Sequence, residues 1–130
     1  MITSNLNLVV KSVQKFEANL DIRSRMARDE MAMALVQLAK EQIRTGGGPA
    51  VAGESPMNRT GKLRGSIHAE KNRKGFAHYE ALVGPGVIYG RTLEMGFSNG
   101  NRYPYMAPAF QKFKVVYASI LRKHLLAKGL

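Results

Sequence analysis

Three histidines and three carboxylates are the residues of this chain that could do chemistry. His68, His78 and His124 are the candidates for metal binding or proton transfer, and Glu70, Glu80 and Glu94 for an acid–base pair. Cysteine is absent, which excludes a disulfide framework, a thiolate nucleophile and a zinc–thiolate site. His68 and His78 fall on the two strands of an expected hairpin, where they can be cross-strand neighbours. A metal site needs further ligands at organised spacing, and no third ligand accompanies them, so solvent-facing sheet positions are the better reading. His124 lies on an apolar helix stripe and reads as a core-edge residue. Glu70 and Glu80 flank a basic turn and read as surface ion-pair partners. Glu94 stands apart, in an apolar, glycine-bounded segment where a charge needs a partner; an ion pair is a better account of it than a general base. No nucleophile elbow, dinucleotide fingerprint or metal-peptidase helix occurs. Gly46-Gly47-Gly48 lacks both the Gly-Lys-Ser/Thr and the preceding strand of a phosphate-binding loop. The chain is therefore expected to be no enzyme and to need no cofactor or metal.

The elements that would position these residues make up one domain of α+β class, spanning all 130 residues. A long helix is expected over 5–44. Leu6, Val9, Val10, Val13, Phe16 and Leu20 recur at helical spacing, and Ala27, Met31, Leu35 and Leu38 continue the stripe. A second apolar set, Ile22, Met26, Met33, Val36 and Ile43, lies off that stripe. Either the helix bends or breaks near Asp21, or it packs a sheet on one side and a neighbouring subunit on the other; we favour the second. Gly46 to Pro49 ends the helix, and 45–59 reads as a loop that orders on assembly. The sheet region, 60–96, opens with a strand in which Leu63, Gly65, Ile67 and Ala69 alternate with Arg64, Ser66, His68 and Glu70. A second strand alternates Ala77, Tyr79, Ala81 and Val83 with Phe76, His78, Glu80 and Leu82. Lys71 to Gly75 joins them as a basic hairpin tip whose Asn and Gly accept positive φ. Val87 to Met95 fits a short helix or a third strand, capped either way by Gly96. A C-terminal helix over 107–128, with Pro108 at its first position, packs on this small antiparallel sheet.

The formal net charge is +11, and most of the excess lies beyond Arg44. Such a balance favours contact with phosphates or with an acidic protein surface and does not choose between them. Lys71, Arg73, Lys74, Arg122 and Lys123 are the candidates for that contact. Tyr79, Tyr89, Phe97, Tyr103 and Tyr105 offer stacking faces, but the sequence has no RNA-recognition aromatic pattern, helix-turn-helix or zinc finger. Nonspecific duplex DNA binding is thus one functional reading. No signal peptide or membrane-spanning run is expected, and the protein is expected to be made in the cytoplasm.

Three blocks supply the other reading. Thr60, Gly61, Leu63, Arg64, Ser66 and Ile67 form the first, and Tyr89, Leu93, Glu94 and Gly96 the second. Pro104, Tyr105, Met106, Pro108 and Ala109 close the series. In this order they resemble the gene-product-ten-like head–tail connector or tail-completion proteins, a family of neck proteins of long-tailed phages. The sequence departs from the family's pattern at Phe97, where a small or hydroxyl residue is commoner, and in the loop from Ser98 to Arg102. The resemblance implies a structural virion protein at the head–tail junction. Copies would form a closed ring, expected as a hexamer, between the portal or its adaptor and the tail tube or tail terminator, leaving a channel for the genome. Subunit contacts are then expected at Arg64, Glu94, Tyr89, Tyr105, Met106, Met26 and Met33, with Arg64 and Glu94 as an ion pair. The basic hairpin and C-terminal helix would face passing DNA or acidic neighbouring rings.

Overall fold

The computed structural model describes residues 2–44, 51–54, 56, 61–72, 74 and 79–126, with side chains from residue 5 onward. Its first element, α1, is a single helix from Ile2 to Gln42. No glycine or proline falls within it, and at 1.5 Å per residue it extends about 60 Å. It runs through Asp21 without a break, and an Asp21–Arg25 ion pair of 2.8 Å spans that turn. Of the two expectations for this helix, the broken one is not what forms.

The strand expected to start at Leu63 starts later. Lys62–Ser66 is a short helix, α2, entered through Gly61 at φ +77°. Leu63 and Ile67 are both buried. Their spacing of four suits one face of a helical turn as well as the alternate positions of a strand, so over so short a window periodicity cannot separate the two. Ser66 Oγ closes the turn by donating to the Leu63 carbonyl at 2.8 Å. The sheet proper comprises β1, His68–Lys71, and β2, Ala81–Gly84. They pair antiparallel, with His68 opposite Gly84 and Lys71 opposite Ala81. At the hairpin tip Asn72 takes φ +57°, as its residue type allows. Arg73, Phe76 and His78 lie outside the described residues, as do the glycine-rich run at 45–50 and residues 127–130.

Ile88–Met95 is a helix, α3, which settles the choice between helix and strand. Gly96, at φ +117°, ends it and donates to the Thr92 carbonyl at 2.8 Å. The last helix, α4, spans Met106–Leu125. It starts two residues before Pro108, and the ring is tolerated there because N–H groups of a first turn have no intrahelical acceptor.

The sheet and α4 both pack on α1, giving the α+β architecture with the C-terminal helix against the α1–sheet layer. Val36, Ala39 and Ile43 of α1 form the core with Leu63, Ile67, Tyr105 and Ala109. Val83, Val87, Leu93 and Met106 pack around it. Ala27, Ala32 and Ala39 keep the buried side of α1 low in profile. From the core α4 runs back antiparallel along α1. Its far end is level with the middle of that helix, where Arg23 reaches the His124 carbonyl at 3.5 Å and Glu30 meets Lys123 and His124, each at 2.8 Å.

Candidate subunit-contact site

Glu94 takes no part in an ion pair with Arg64. Its carboxylate lies across the start of α4, where Oε2 accepts the N–H groups of Tyr105 at 2.8 Å and Met106 at 2.9 Å. Oε1 accepts the N–H of Ala107 at 2.9 Å. A helix start carries unsatisfied donors and a partial positive charge, so a carboxylate held there satisfies both. Side-chain caps normally come from the residue just before the helix. The Tyr105 side chain makes no capping bond, its hydroxyl being turned to Gly90, and α3 supplies the acceptor from eleven positions upstream. Arg64 sits half-buried on α2, and no ion pair joins it to Glu94.

The same junction fixes two further residues. The Tyr105 ring is fully buried, and its hydroxyl donates to the Gly90 carbonyl at 2.9 Å. Burial, with the Glu94 charge adding to it, pushes the Tyr105 phenol up to about 12. Tyr105 is thus a core residue and not the contact residue expected from the sequence. A Cβ on Gly90 would stand 2.6 Å from Pro85 Cβ and 2.9 Å from the Tyr105 hydroxyl, so only glycine lets α3 approach this closely. At the junction, an open groove of about 670 Å³ is lined by Gly90, Glu94 and Tyr105 together with Pro85, Val87, Ile88, Arg91, Met95 and Met106. Ile88 is 95% exposed on its rim and Met95 65%. Tyr89, on the same short helix, is also exposed.

A second apolar surface lies at the other end of the molecule. Residues 5–18 of α1 are exposed without interruption, and among them are Leu6, Val9, Val13 and Phe16. They form the same stripe that continues inward through Ala27, Met31 and Leu35. There α4 and the sheet cover it: Met31 and Leu35 share a groove with Val83, Phe110 and Phe113. Asn19, Ile22, Arg23 and Met26 meet Lys123 and His124 at the end of α4, and among the described residues no element covers the arm before them. Met26 and Met33 are exposed on α1.

The basic candidates divide. Lys71 Nζ lies 3.2 Å from Asp29, whose carboxylate also takes Nε of the buried Arg28 at 2.9 Å. Arg28 in turn donates to Asn72 Oδ1 at 3.0 Å, so the hairpin tip is tied to α1. Desolvation pushes the Asp29 carboxyl up, and the hydrogen bonds and charges of Arg28 and Lys71 outweigh it and hold the group below its usual range. Lys123 pairs with Glu30, whose carboxyl is lowered first by Lys123 and then by His124. Lys74 and Arg122 are exposed, and Arg73 lies outside the described residues. His68 bonds to the Ser66 carbonyl and faces Glu70 at 3.5 Å; the Ser66 bond first, then Glu70, raises its pKa. His124 is the core-edge residue expected, with its side chain 13% exposed beside Glu30. Among the described residues no group of three or more His, Asp or Glu side chains is placed to hold a metal ion, and no helix is long and apolar enough to cross a membrane.

Sequence reasoning found Glu94 and the apolar stripes but missed the cap, the Arg28–Asp29–Asn72 tie and the uncovered arm. One sign could have found the cap: the helix expected from 107 is preceded by Tyr105 and Met106, which are not capping residue types.

No family model, curated protein or solved structure matches this chain.

Proposed function

We propose that this protein is a structural subunit of the neck of a long-tailed phage, forming a ring that joins head to tail. The observation that carries the reading is the uncovered arm of α1. A long apolar helix face is stable in water only when other protein covers it, and this one stands clear of its own fold. The order of the three sequence blocks supports the family, and two of them meet at the α3–α4 junction. The role is assembly and not catalysis: Glu94, the carboxylate in the most unusual setting, is committed to backbone donors. Ring neighbours would be the portal adaptor on one side and a tail-tube or tail-terminator protein on the other. The charge of +11 suits acidic surfaces on those neighbours or the passing genome.

Nonspecific duplex binding is the second reading, and the same charge supports it. The two differ in the sign of their salt dependence. Salt screens repulsion between basic copies and leaves ring formation intact or strengthened. Phosphate binding weakens steeply with salt, by about 0.9 log units per contact for each tenfold rise. Native mass spectrometry and particle images at low and high salt, alone and with portal or tail complexes, test the proposal. Closed rings that join such complexes are expected. A salt-indifferent monomer that joins neither would overturn it.

A further inference from the structure

The arm and the α3 groove lie at opposite ends of α1. From Val13 to Ala39, which shares the core with the Tyr105 ring that holds α3 through Gly90, is about 40 Å along the helix. Two apolar surfaces so far apart on one rigid element cannot cover each other within a protomer. Between copies they can. A contact between different patches is heterologous, and it propagates around a ring when the rotation closes. Resting on the ring reading above, we infer that the α1 arm of each copy docks in the α3 groove of the next copy, as an amphipathic helix in an apolar groove.

Charge favours this pairing over its rival, arm against arm. Each residue turns a helix by about 100°, which sets Lys11 and Lys15 on the face of the arm opposite the stripe of Leu6, Val9, Val13 and Phe16. Glu17 is the charge that flanks the stripe, and it has no ion-pair partner among the described residues. The groove presents Arg91 beside Ile88 and Met95, and the one carboxylate in its lining, Glu94, is held by the N–H groups at the start of α4. Arm on groove brings Glu17 to a cation, whereas arm on arm brings it only to neutral residues or to itself. A four-turn helix in a groove buries on the order of 1,000 Å², near the lower bound for a specific interface. Such a contact is weak singly and gains from a closed ring, in which every copy makes it twice.

The chain contains no cysteine, so introduced thiols report single sites. Val13 is 50% exposed and Ile88 95%, and neither substitution to cysteine opens the core. A short bis-maleimide applied to an equal mixture of Val13→Cys and Ile88→Cys should give a crosslinked dimer, and each variant alone should give none. The double variant should give a ladder that ends at the ring size. Glu17→Arg should weaken self-association about fivefold, and adding Arg91→Glu should restore it. Crosslinking of Val13→Cys alone would assign the arm to a second arm and overturn the inference. So would rings that join heads to tails while the mixture stays uncrosslinked, a result that leaves the neck reading standing. A full ladder from a protein that joins neither portal nor tail would sustain the docking and remove the neck reading.

Discussion

Replacing Glu94 separates the cap from the ion pair, because the two accounts assign its cost to different partners. In Glu94→Ala three N–H groups at the start of α4 lose their acceptor. Losing a helix cap costs about 1–2 kcal/mol, and removing the anion from the positive end of the helix adds about 0.3–1 kcal/mol. Tyr105 is fully buried, so its N–H regains no water, which adds roughly 1 kcal/mol. The sum is about 2–4 kcal/mol. At this chain length that lowers the melting temperature by about 10 °C. Glu94→Gln keeps one oxygen for Tyr105 and Met106 but turns an amide N–H₂ towards Ala107, and should lose about half as much. Arg64→Ala should stay within about 0.5 kcal/mol of the parent. Urea unfolding followed by circular dichroism gives the energies, and amide exchange at residues 105–107 gives the location. If Arg64→Ala cost as much as Glu94→Ala, or if Glu94→Gln left stability and exchange unchanged, the cap assignment would be refuted.

Gly90→Ala should destabilise the fold by about 1–3 kcal/mol through its clash with Pro85 and Tyr105. Gly65→Ala, whose Cβ meets nothing within 4 Å in α2, should be neutral or stabilising in the same urea series. The Tyr105 phenol is raised from 10.0 to about 12, so the fold favours its neutral form. That stabilisation is present below pH 10 and is lost as pH rises towards 12, on the order of 3 kcal/mol for a shift of this size. Unfolding free energies measured between pH 9 and 12 should fall accordingly, and Tyr105→Phe should flatten the curve. Asp29 is shifted the other way, below its usual 3.8. Its contribution is present above about pH 4 and lost as pH falls through the lowered value, and Asp29→Asn should remove that part of the acid limb; an unchanged acid limb would contradict the Arg28–Asp29–Lys71 tie.

Much of the architecture was legible because long-range order in this chain follows from local rules. A stretch of forty residues without glycine or proline and with apolar residues at helical spacing has little choice but a helix. Asn72 and Gly96 took the positive φ that their residue types make cheap. Leu63 to Ile67 failed for a reason intrinsic to short windows: positions two apart and positions four apart share every second member. What decided the matter was tertiary, since Leu63 reaches the core from α2 and Ile67 from the residue that ends it. Glu94 was legible as a charge that needed a reason. Its partner was not, because backbone donors carry no residue type and leave no trace in the sequence.

The arm is the more instructive case, because its sequence was read correctly and its consequence was not. Leu6 to Leu20 and Ala27 to Leu38 form one continuous stripe, and periodicity reports that a face is apolar without reporting what faces it. The missing information was a length. α1 has 41 residues and α4 has 20, and they run antiparallel from a shared core at one end. The shorter helix therefore stops level with the middle of the longer one, and the stripe beyond that point is left bare whatever its composition. Both lengths were within reach of the sequence, as was the order of the two helices. Comparing the two spans would have marked residues 5–18 as the segment of α1 that α4 does not reach.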